Sequence, residues 1–261
     1  MRWKKMLSLG LLMIVASCFA ATSDAASKTI ERTDPEMSAV LNRYVYGDTV
    51  KQSKAIGDVD RELVRIAALA TVGTQKYLEI ETEKALKAGV KAIEIREAIY
   101  QITPYIGFAK SVDALDTINK VFKADGIKLP LENQATVDDS TRFDKGLEVQ
   151  IEIFGDAINQ MRKNAPSDAA HFNDDLAEFC FGDTYTRGTL DLKQREMLTM
   201  AAIASLGGCE PQLKAHIAGN KSVGNTRAEV LSVLTAIHPF IGFPRTLNAL
   251  ACINEVMPPQ K

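Results

Sequence analysis

The sequence predicts an all-helical protein built from two tandem copies of one helical repeat. Helix-forming residues are abundant, while aromatic residues make up only 7% of the chain, a composition that disfavours a β-sandwich. Apolar residues recur at helical spacing in both halves of the chain. The third observation is that the two halves resemble each other at a nearly constant offset.

Three ordered blocks carry this internal similarity. Residues 66–73 (IAALATVG) match residues 200–207 (MAAIASLG) at an offset of 134. At an offset of 135, residues 103–108 (TPYIGF) match residues 238–243 (HPFIGF), and YGDT at 46–49 matches FGDT at 181–184. Because the blocks keep their order and need only single-residue gaps, they indicate duplication of one unit.

Both repeats contain the same predicted series of helices. In the second repeat, Asp191 with Gln194 and Thr226 with Glu229 are spaced as capping boxes that start helices. A short helix is expected to end near residues 181–182, one helix starts at Pro211, and Pro239 and Gly242 break the chain before a last helix. Residues 146–161 between the repeats are also predicted to be helical. The helices predicted for the first repeat are Asp58–Val72, Lys76–Ala88, Ala92–Thr103 and Ala109–Phe122.

The N-terminal segment has the pattern of an export signal. Basic residues precede an apolar run and then small residues, which predicts a secretory signal peptide over residues 1–25. Cys18 also closes a sequence, VASC, similar to a bacterial lipobox, so a lipid-anchored protein is the alternative. We expect a periplasmic protein or a lipoprotein that meets the membrane only through Cys18. The expected organisation is a signal at 1–25, repeat one at 26–125, a connector and helix at 126–165, and repeat two at 166–258.

Charge and cysteine content narrow the function classes. The formal net charge is only −2 and no basic cluster is present, so a nucleic-acid partner is not expected. Beyond the signal, Cys180, Cys209 and Cys252 show neither a CxxC nor a zinc-ligand spacing, and no metal or cofactor is predicted. The odd number leaves at least one thiol free or paired between chains, and we expect Cys180 and Cys252 to be buried.

Three segments of the second repeat resemble a known family. LDLKQREM at 190–197, GGCEPQLKAH at 207–216 and PFIGFPR at 239–245 are similar to the carboxymuconolactone decarboxylase family, the wider group that includes alkylhydroperoxidase D. The resemblance implies an all-α fold of intertwined subunits, hence a homo-oligomer, with a trimer of tandem chains favoured. It also implies either of two chemistries: decarboxylation of a carboxylated unsaturated lactone by acid/base residues, or peroxide reduction by a CxxC beside a histidine.

The resemblance places a functional histidine at His216. An imidazole that titrates near neutral pH can deliver a proton to a developing dienolate, although a core histidine bonded to a carbonyl is the alternative. Glu196 matches the acidic residue of the family's Arg–Glu pair and would orient His216, unless it pairs with Arg195 or Lys193 instead. A straight hairpin leaves an axial offset of about 7.5 Å between Glu196 and His216, so direct contact would need helix splay, a water molecule or another copy.

The remaining candidates are assigned on their chemistry. Arg195 could bind a substrate carboxylate, since a guanidinium matches that group, or could form a structural pair. His238 is expected either to line the same pocket or to be a helix C-terminal histidine favoured by the dipole. Cys209 lies in the position of the first cysteine of the peroxidase CxxC, where a helix N-terminus would favour its thiolate, but Gln212 replaces the second. Gln212 is a candidate ligand contact.

The first repeat lacks these histidines and cysteines. At the offset of 135, His216 corresponds to Glu81 and His238 to Thr103, while Arg61 and Glu62 are retained. This predicts a degenerate repeat kept for packing, with Glu81 as an acid in a second site as the alternative.

Three functions therefore follow from the sequence. The leading one is an exported, cofactor-free enzyme that decarboxylates, or transfers a proton on, a small carboxylated cyclic substrate, with His216 as acid/base and Glu196 supporting it. The second is a thiol-dependent peroxidase that uses Cys209. The third is a non-enzymatic oligomeric binding protein, which a pocket filled by Phe or Leu side chains at His216 would favour.

Overall fold

The computed structural model describes residues 30–259, and every regular element within that range is a helix. The predicted signal at 1–25, with Cys18, lies outside the described residues. The all-helical prediction is confirmed, and one predicted helix, Asp58–Val72, has the bounds that the structure shows. The elements of the first repeat are α1 (Pro35–Arg43), a π-helix π1 (Tyr44–Asp48), α2 (Thr49–Gln52), α3 (Asp58–Val72), α4 (Gln75–Lys87), α5 (Ala92–Ile106) and α6 (Phe108–Ala124).

The second repeat follows a connector and two further helices. The segment predicted as one helix over 146–161 is helical but is divided at Gly155, whose positive φ of 67° ends the first helix. The short helix expected to end near residues 181–182 begins as an α-helix at His171 and continues as a π-helix to Tyr185. The elements are α7 (Arg142–Phe154), α8 (Ala157–Lys163), α9 (His171–Asp175), π2 (Leu176–Tyr185), α10 (Leu192–Leu206), α11 (Glu210–Ser222) and α12 (Arg227–Val256).

Local sequence signals fix the helix ends. The capping boxes at Asp191 and Thr226 are both present, with the Asp191 carboxylate accepting from the Gln194 N–H at 2.8 Å. The expectation that Pro239 breaks the chain is wrong, because α12 continues through it. The break comes at Gly242, with φ 78° and ψ 163°. A helix can accommodate the fixed φ of proline, whereas a positive φ interrupts it.

The two repeats share one hydrophobic core. Helices α3 and α10 run through its centre, with residues 61–71 and 195–205 buried, and they pack against each other. Buried apolar residues from both repeats form a single cluster around this pair. Helix α10, whose last turns before Gly207 are almost entirely apolar, is therefore central to the fold.

In each repeat, one further helix packs against the central helix of the other repeat. Helix α5 of the first repeat packs on α10, and α12 of the second packs on α3. Gln101 of α5 hydrogen-bonds Thr199, and the equivalent contact in the other direction joins Arg65 to the Ala236 carbonyl. Each central helix is thus covered by a helix from the other repeat.

One described helix, α12, is long and apolar enough to cross a membrane by length and composition. It is interrupted at Gly242, and its residues Val230, Val233, Ile237 and Ile253 are buried in the shared core. These contacts are those of a core helix.

Candidate active site

Glu196 and His216 form a direct hydrogen-bonded pair in the second repeat. The His216 Nδ1 atom lies 3.0 Å from Glu196 Oε2 and 3.2 Å from Oε1. Glu196 is fully buried, and His216 is 8% exposed. Of the three routes to contact that the sequence left open, a water molecule and another copy are not needed, because both residues belong to one hairpin and their side chains are in direct contact.

Two residues of α11 make this pairing possible. Asn220, one helical turn beyond His216, donates its side-chain amide to the Glu196 main-chain carbonyl at 2.9 Å and to the His216 carbonyl at 2.8 Å. Gly219 leaves the space that the carboxylate occupies, since a Cβ atom there would lie 2.5 Å from Glu196 Oε2. The side chain of Asn220 therefore fixes α11 against α10, and the space at Gly219 allows the Glu196 carboxylate to contact the imidazole.

Aromatic rings enclose the imidazole. The edges of Tyr105 and Phe154 meet His216 with ring centroids 5.3 Å away in both cases. The hydrogen bonds that the imidazole makes with the described side chains are both formed through Nδ1. With Nδ1 held by Glu196, Nε2 is the nitrogen available to a reacting molecule.

A second hydrogen bond to Glu196 comes from the π-helix. The Tyr185 hydroxyl donates to Glu196 Oε1 at 2.7 Å and lies 2.9 Å from Thr199 Oγ1 and 3.2 Å from the Tyr105 hydroxyl. Sequence reasoning missed Tyr185, Tyr105 and Thr199. Two of them could have been found by comparing the repeats. The position equivalent to Tyr105 is Phe240, and the position equivalent to Thr199 is Arg65, so the residue type differs at both.

Close backbone packing holds the π-helix in place. At Gly146 of α7 and Gly182 of π2 the two backbones approach so closely that no Cβ atom would fit. Glycine is the residue that permits such an approach. The position of Tyr185 therefore depends on the contact between α7 and π2.

Arg195 is placed to support the fold, not to meet a ligand. It is 1% exposed, and its guanidinium donates to Gln101 Oε1 and to the carbonyls of Thr184, Arg187 and Gly188. Burial lowers the pKa of this guanidinium to about 10. The expectation that Arg195 binds a substrate carboxylate does not fit these contacts, since main-chain acceptors already occupy both terminal nitrogens.

His238 and Gln212 are not brought to the Glu196–His216 pair. The His238 Nε2 atom lies 2.7 Å from the hydroxyl of Tyr44, a residue of the first repeat, and its ring packs against Phe243. Burial lowers the pKa of His238. His238 lies four residues before the break at Gly242, in the last turn of the first part of α12, a position that matches the alternative of a helix C-terminal histidine. Gln212 is exposed on the first turns of α11.

The three described cysteines are free, and their environments differ. Cys180 and Cys252 are buried, as predicted, and burial raises the pKa of the Cys180 thiol to about 12. Cys209 is half-buried at the N-cap of α11, with its thiol 3.6 Å from the Gly207 carbonyl. It lies two helical turns before His216, and the structure shows no contact between them among the described side chains.

The first repeat contains a buried charged cluster at the equivalent position. Glu62 occupies the position of Glu196, and Glu81 occupies the position of His216. The Arg65 guanidinium lies 3.2 Å from Glu62 Oε1 and 4.0 Å from Glu81 Oε2. Lys84 lies 3.6 Å from Glu81 Oε1, and the Tyr46 hydroxyl donates to that same oxygen at 2.6 Å. The first repeat therefore lacks histidine here but has kept other ionisable groups, joined to one another as ion pairs.

Open clefts on the surface lie elsewhere. One of about 440 Å³ is bordered by Lys91, Leu131 and Thr189, and another of about 240 Å³ by Lys214, Asn248 and other residues around Cys252. His216 lines neither. Among residues 30–259, no group of three or more His, Cys, Asp or Glu side chains is arranged to hold a metal ion.

Comparison with known proteins agrees with this architecture. The model of the carboxymuconolactone decarboxylase family matches residues 35–119 and again residues 170–255, which together make up more than half of the chain. The chain belongs to the carboxymuconolactone decarboxylase family. It is a tandem member, since each match falls within one of the two repeats.

Two relatives show how far the similarity extends. The chain is 26% identical over 121 residues to a 4-carboxymuconolactone decarboxylase of Acinetobacter baylyi, an alignment that covers 46% of this chain and 90% of the relative. It is 34% identical over 83 residues to an uncharacterized 15.0 kDa protein of Paracoccus denitrificans, covering 31% of this chain and 62% of that protein. These similarities support a decarboxylase-like function for this tandem member of the family.

Proposed function

We propose that the protein is a lyase that decarboxylates a small carboxylated cyclic substrate, with His216 as the acid/base. The observation that supports this function is the buried Glu196–His216 pair, in which Glu196 holds Nδ1 and Nε2 is the other ring nitrogen. An unsaturated lactone with a carboxylate is the substrate class, by analogy with the name of the Acinetobacter relative.

In the proposed reaction the bond between the ring carbon and the carboxylate breaks, and carbon dioxide leaves. The electron pair of that bond passes into the conjugated lactone as a dienolate. The Nε2–H of a protonated His216 then delivers a proton to carbon, and the imidazole regains a proton from solvent. Glu196 stabilises the imidazolium and holds its Nδ1–H, so the ring presents the same nitrogen in each turnover.

The test is an assay of the chain for loss of 4-carboxymuconolactone with His216→Gln and Glu196→Gln. Loss of a positioned acid/base lowers kcat by about 10²- to 10⁴-fold, and His216→Gln should fall in that range. His171→Gln, at an exposed histidine on α9, is the control and should retain wild-type turnover. Full activity of His216→Gln would exclude this mechanism.

A thiol peroxidase is the second candidate, supported by Cys209. Its thiol is free and half-buried at the N-cap of α11. The reaction would oxidise Cys209 to a sulfenic acid while a peroxide is reduced to an alcohol or water, and an external thiol would restore the cysteine. If peroxide at neutral pH causes no loss of the free Cys209 thiol, this candidate is excluded.

A binding protein without turnover is the third candidate. The rings of Phe154 and Tyr105 meet two sides of His216, as expected where a pocket has been filled. Absence of both lactone turnover and peroxide consumption in the wild-type chain would favour it.

We also propose export and self-association. The signal-like segment at 1–25 would direct the chain to the periplasm, or Cys18 would anchor it to a membrane as a lipoprotein. The mature chain would assemble as a homo-oligomer, with a trimer of tandem chains favoured.

A further inference from the structure

A chain of hydrogen bonds runs from the first repeat to the Glu196–His216 pair. Its links are Cys180 Sγ to the Tyr105 hydroxyl at 3.5 Å, Tyr105 to the Tyr185 hydroxyl at 3.2 Å, and Tyr185 to Glu196 Oε1 at 2.7 Å. Tyr105 lies on α5 of the first repeat, whereas the other members belong to the second repeat. The carboxylate that holds His216 is thus connected to a residue of the other repeat.

The direction of donation along this chain is fixed by the number of protons available. A tyrosine hydroxyl has one proton, and Tyr185 gives its proton to Glu196. Tyr185 must therefore accept from Tyr105 or Thr199. Because the Cys180 thiol donates to Tyr105, the proton of Tyr105 is free to point at Tyr185. All the dipoles can then point toward the carboxylate.

Burial keeps these donors neutral. It raises the pKa of Tyr105 and of Tyr185 well above 10.0, and the negative charges nearby reinforce the shift. A neutral hydroxyl that donates to an ionised carboxylate forms a stronger bond than a neutral pair does. Aligned hydroxyls also polarise one another, so each donation strengthens the next.

We propose that Tyr185 and Tyr105 are positioning residues for His216, so that the first repeat completes the active site of the second. Tyr185 withdraws negative charge from Glu196, and Tyr105 strengthens that withdrawal through the Tyr185 hydroxyl. Together they limit how strongly Glu196 stabilises the protonated imidazole. This inference rests on the proposed role of His216 and assigns part of that role to α5.

The groups that surround His216 determine how its titration should respond to substitution. They are Glu196 on α10, the Tyr105 ring on α5 and the apolar Phe154 ring on α7, while Tyr185 and Cys180 of π2 lie behind Glu196. Glu196 is the one carboxylate among them. Without the Tyr185 hydroxyl, the Glu196 carboxylate would interact more strongly with the protonated imidazole. The apparent pKa of His216 should therefore be higher in the variant than in the wild type.

The experiment is a ¹⁵N NMR titration of the full chain, with the His216 signal assigned by its loss in His216→Gln. We expect Tyr185→Phe to raise the apparent pKa of His216 by about half a unit to one unit, the equivalent of one hydrogen bond. Tyr105→Phe keeps the ring against His216 and should raise it by a smaller amount. In the Tyr185→Phe background, Tyr105→Phe should add nothing, since the intermediate hydroxyl is gone.

Tyr46→Phe is the matched control. It also removes a tyrosine hydroxyl that donates to a buried glutamate, Glu81, but in the other repeat, so the His216 titration should not change. An unchanged titration in Tyr185→Phe, or an equal effect of Tyr105→Phe in both backgrounds, would overturn the proposal. Because this measurement needs no substrate, the proposed function can fail in the lactone assay while the titration result stands.

Discussion

The carboxylate of Glu196 lies against Gly219, with Oε2 at 2.5 Å from the position that a Cβ atom on residue 219 would take. At the equivalent position of the first repeat the residue is Lys84, and there the partner is a carboxylate, Glu81, in place of the imidazole. The absence of a side chain at position 219 is thus part of what allows a glutamate and a histidine to pair within one hairpin.

Gly219→Ala should separate stability from activity. Within a helix, alanine is favoured over glycine by about 1 kcal/mol, but here the added methyl group must displace the Glu196 carboxylate. We expect kcat for the lactone to fall by about 10-fold or more, since misplaced catalytic groups cost rate steeply. The measurement is steady-state kinetics together with urea unfolding.

Gly57→Ala is the comparison for that substitution, because nothing lies within 4 Å of a Cβ atom at residue 57. It should leave kcat unchanged. Wild-type kcat in Gly219→Ala would show that the carboxylate does not need its observed position.

Thiol labelling should distinguish the three described cysteines. Cys209 is half-buried, whereas Cys180 and Cys252 are buried, and burial raises the pKa of both of the latter thiols. Only a thiolate reacts with an alkylating agent. Native protein treated with iodoacetamide near neutral pH should therefore be modified at Cys209 first, as peptide mass mapping can show. The control is the same treatment in urea, where all three should react. Preferential labelling of Cys180 would contradict the structure.

The helical frame could be predicted from the sequence because it depends on local signals. The capping boxes at Asp191 and Thr226 and the apolar pattern of Asp58–Val72 act over a few residues and gave the observed helices. The family resemblance likewise indicated both members of the Glu196–His216 pair. Their direct contact was not foreseen, because an estimate from helix axes leaves out the reach of the side chains and the space at Gly219.

The residues around the pair could not be predicted from the local sequence, and only a comparison of the two repeats distinguishes Tyr105 and Thr199. Tyr105 lies 80 residues from Tyr185 in the chain, and nothing in the local sequence marks either as polar members of a buried network. In the charged cluster of the first repeat, Glu81 was indicated as an alternative acid, but Arg65 and Lys84 were missed in the same way. Arginine and lysine are residue types usually found at the surface, and only the tertiary structure shows that Arg65 and Lys84 lie beside the buried Glu81.

Glu62 in that cluster should make stability depend on pH. Burial raises its pKa above the ordinary 4.5, and the Glu81 charge adds to the rise against the opposing effect of Arg65. A raised pKa in the folded state means that ionised Glu62 reduces stability above that pKa and that the loss is recovered as the pH falls through it. The free energy of unfolding of Glu62→Gln should therefore increase relative to that of the wild type, so that the variant becomes relatively more stable, as the pH rises from about 4 to about 8.

Glu229→Gln provides a control of opposite sign. At Glu229 the effect of burial is outweighed by hydrogen bonds from Thr226, so its pKa is lowered in the folded protein. The stability that it provides is present above its unfolded pKa and is lost as the pH falls. Glu229→Gln should thus become relatively less stable as the pH rises. Parallel slopes for the two variants, measured by urea unfolding, would refute the assignment at Glu62.

Two exposed apolar pairs predict where the proposed homo-oligomer would assemble. Phe108 and Val112 on α6 are 65% and 53% exposed, and their equivalents at an offset of 135, Phe243 and Leu247 on α12, are 60% and 56% exposed. Large exposed apolar groups that recur on one helical face mark interaction surfaces. Because each repeat carries one pair, each chain presents two similar surfaces, and in the proposed trimer each chain would contact two neighbours through them.

Light scattering on the mature chain should therefore give the mass of a trimer. Phe108→Glu combined with Phe243→Glu should shift it toward the monomer, since a charge at each surface must be desolvated on association. Phe172→Glu introduces the same charge at a residue that is 64% exposed but outside both pairs, and it should leave the mass unchanged. A wild-type monomer would contradict the expected assembly, while a trimer that survives the double substitution would move the interface to another face. Since Glu196 and His216 are both buried within one chain, either result leaves the composition of the candidate active site unaffected.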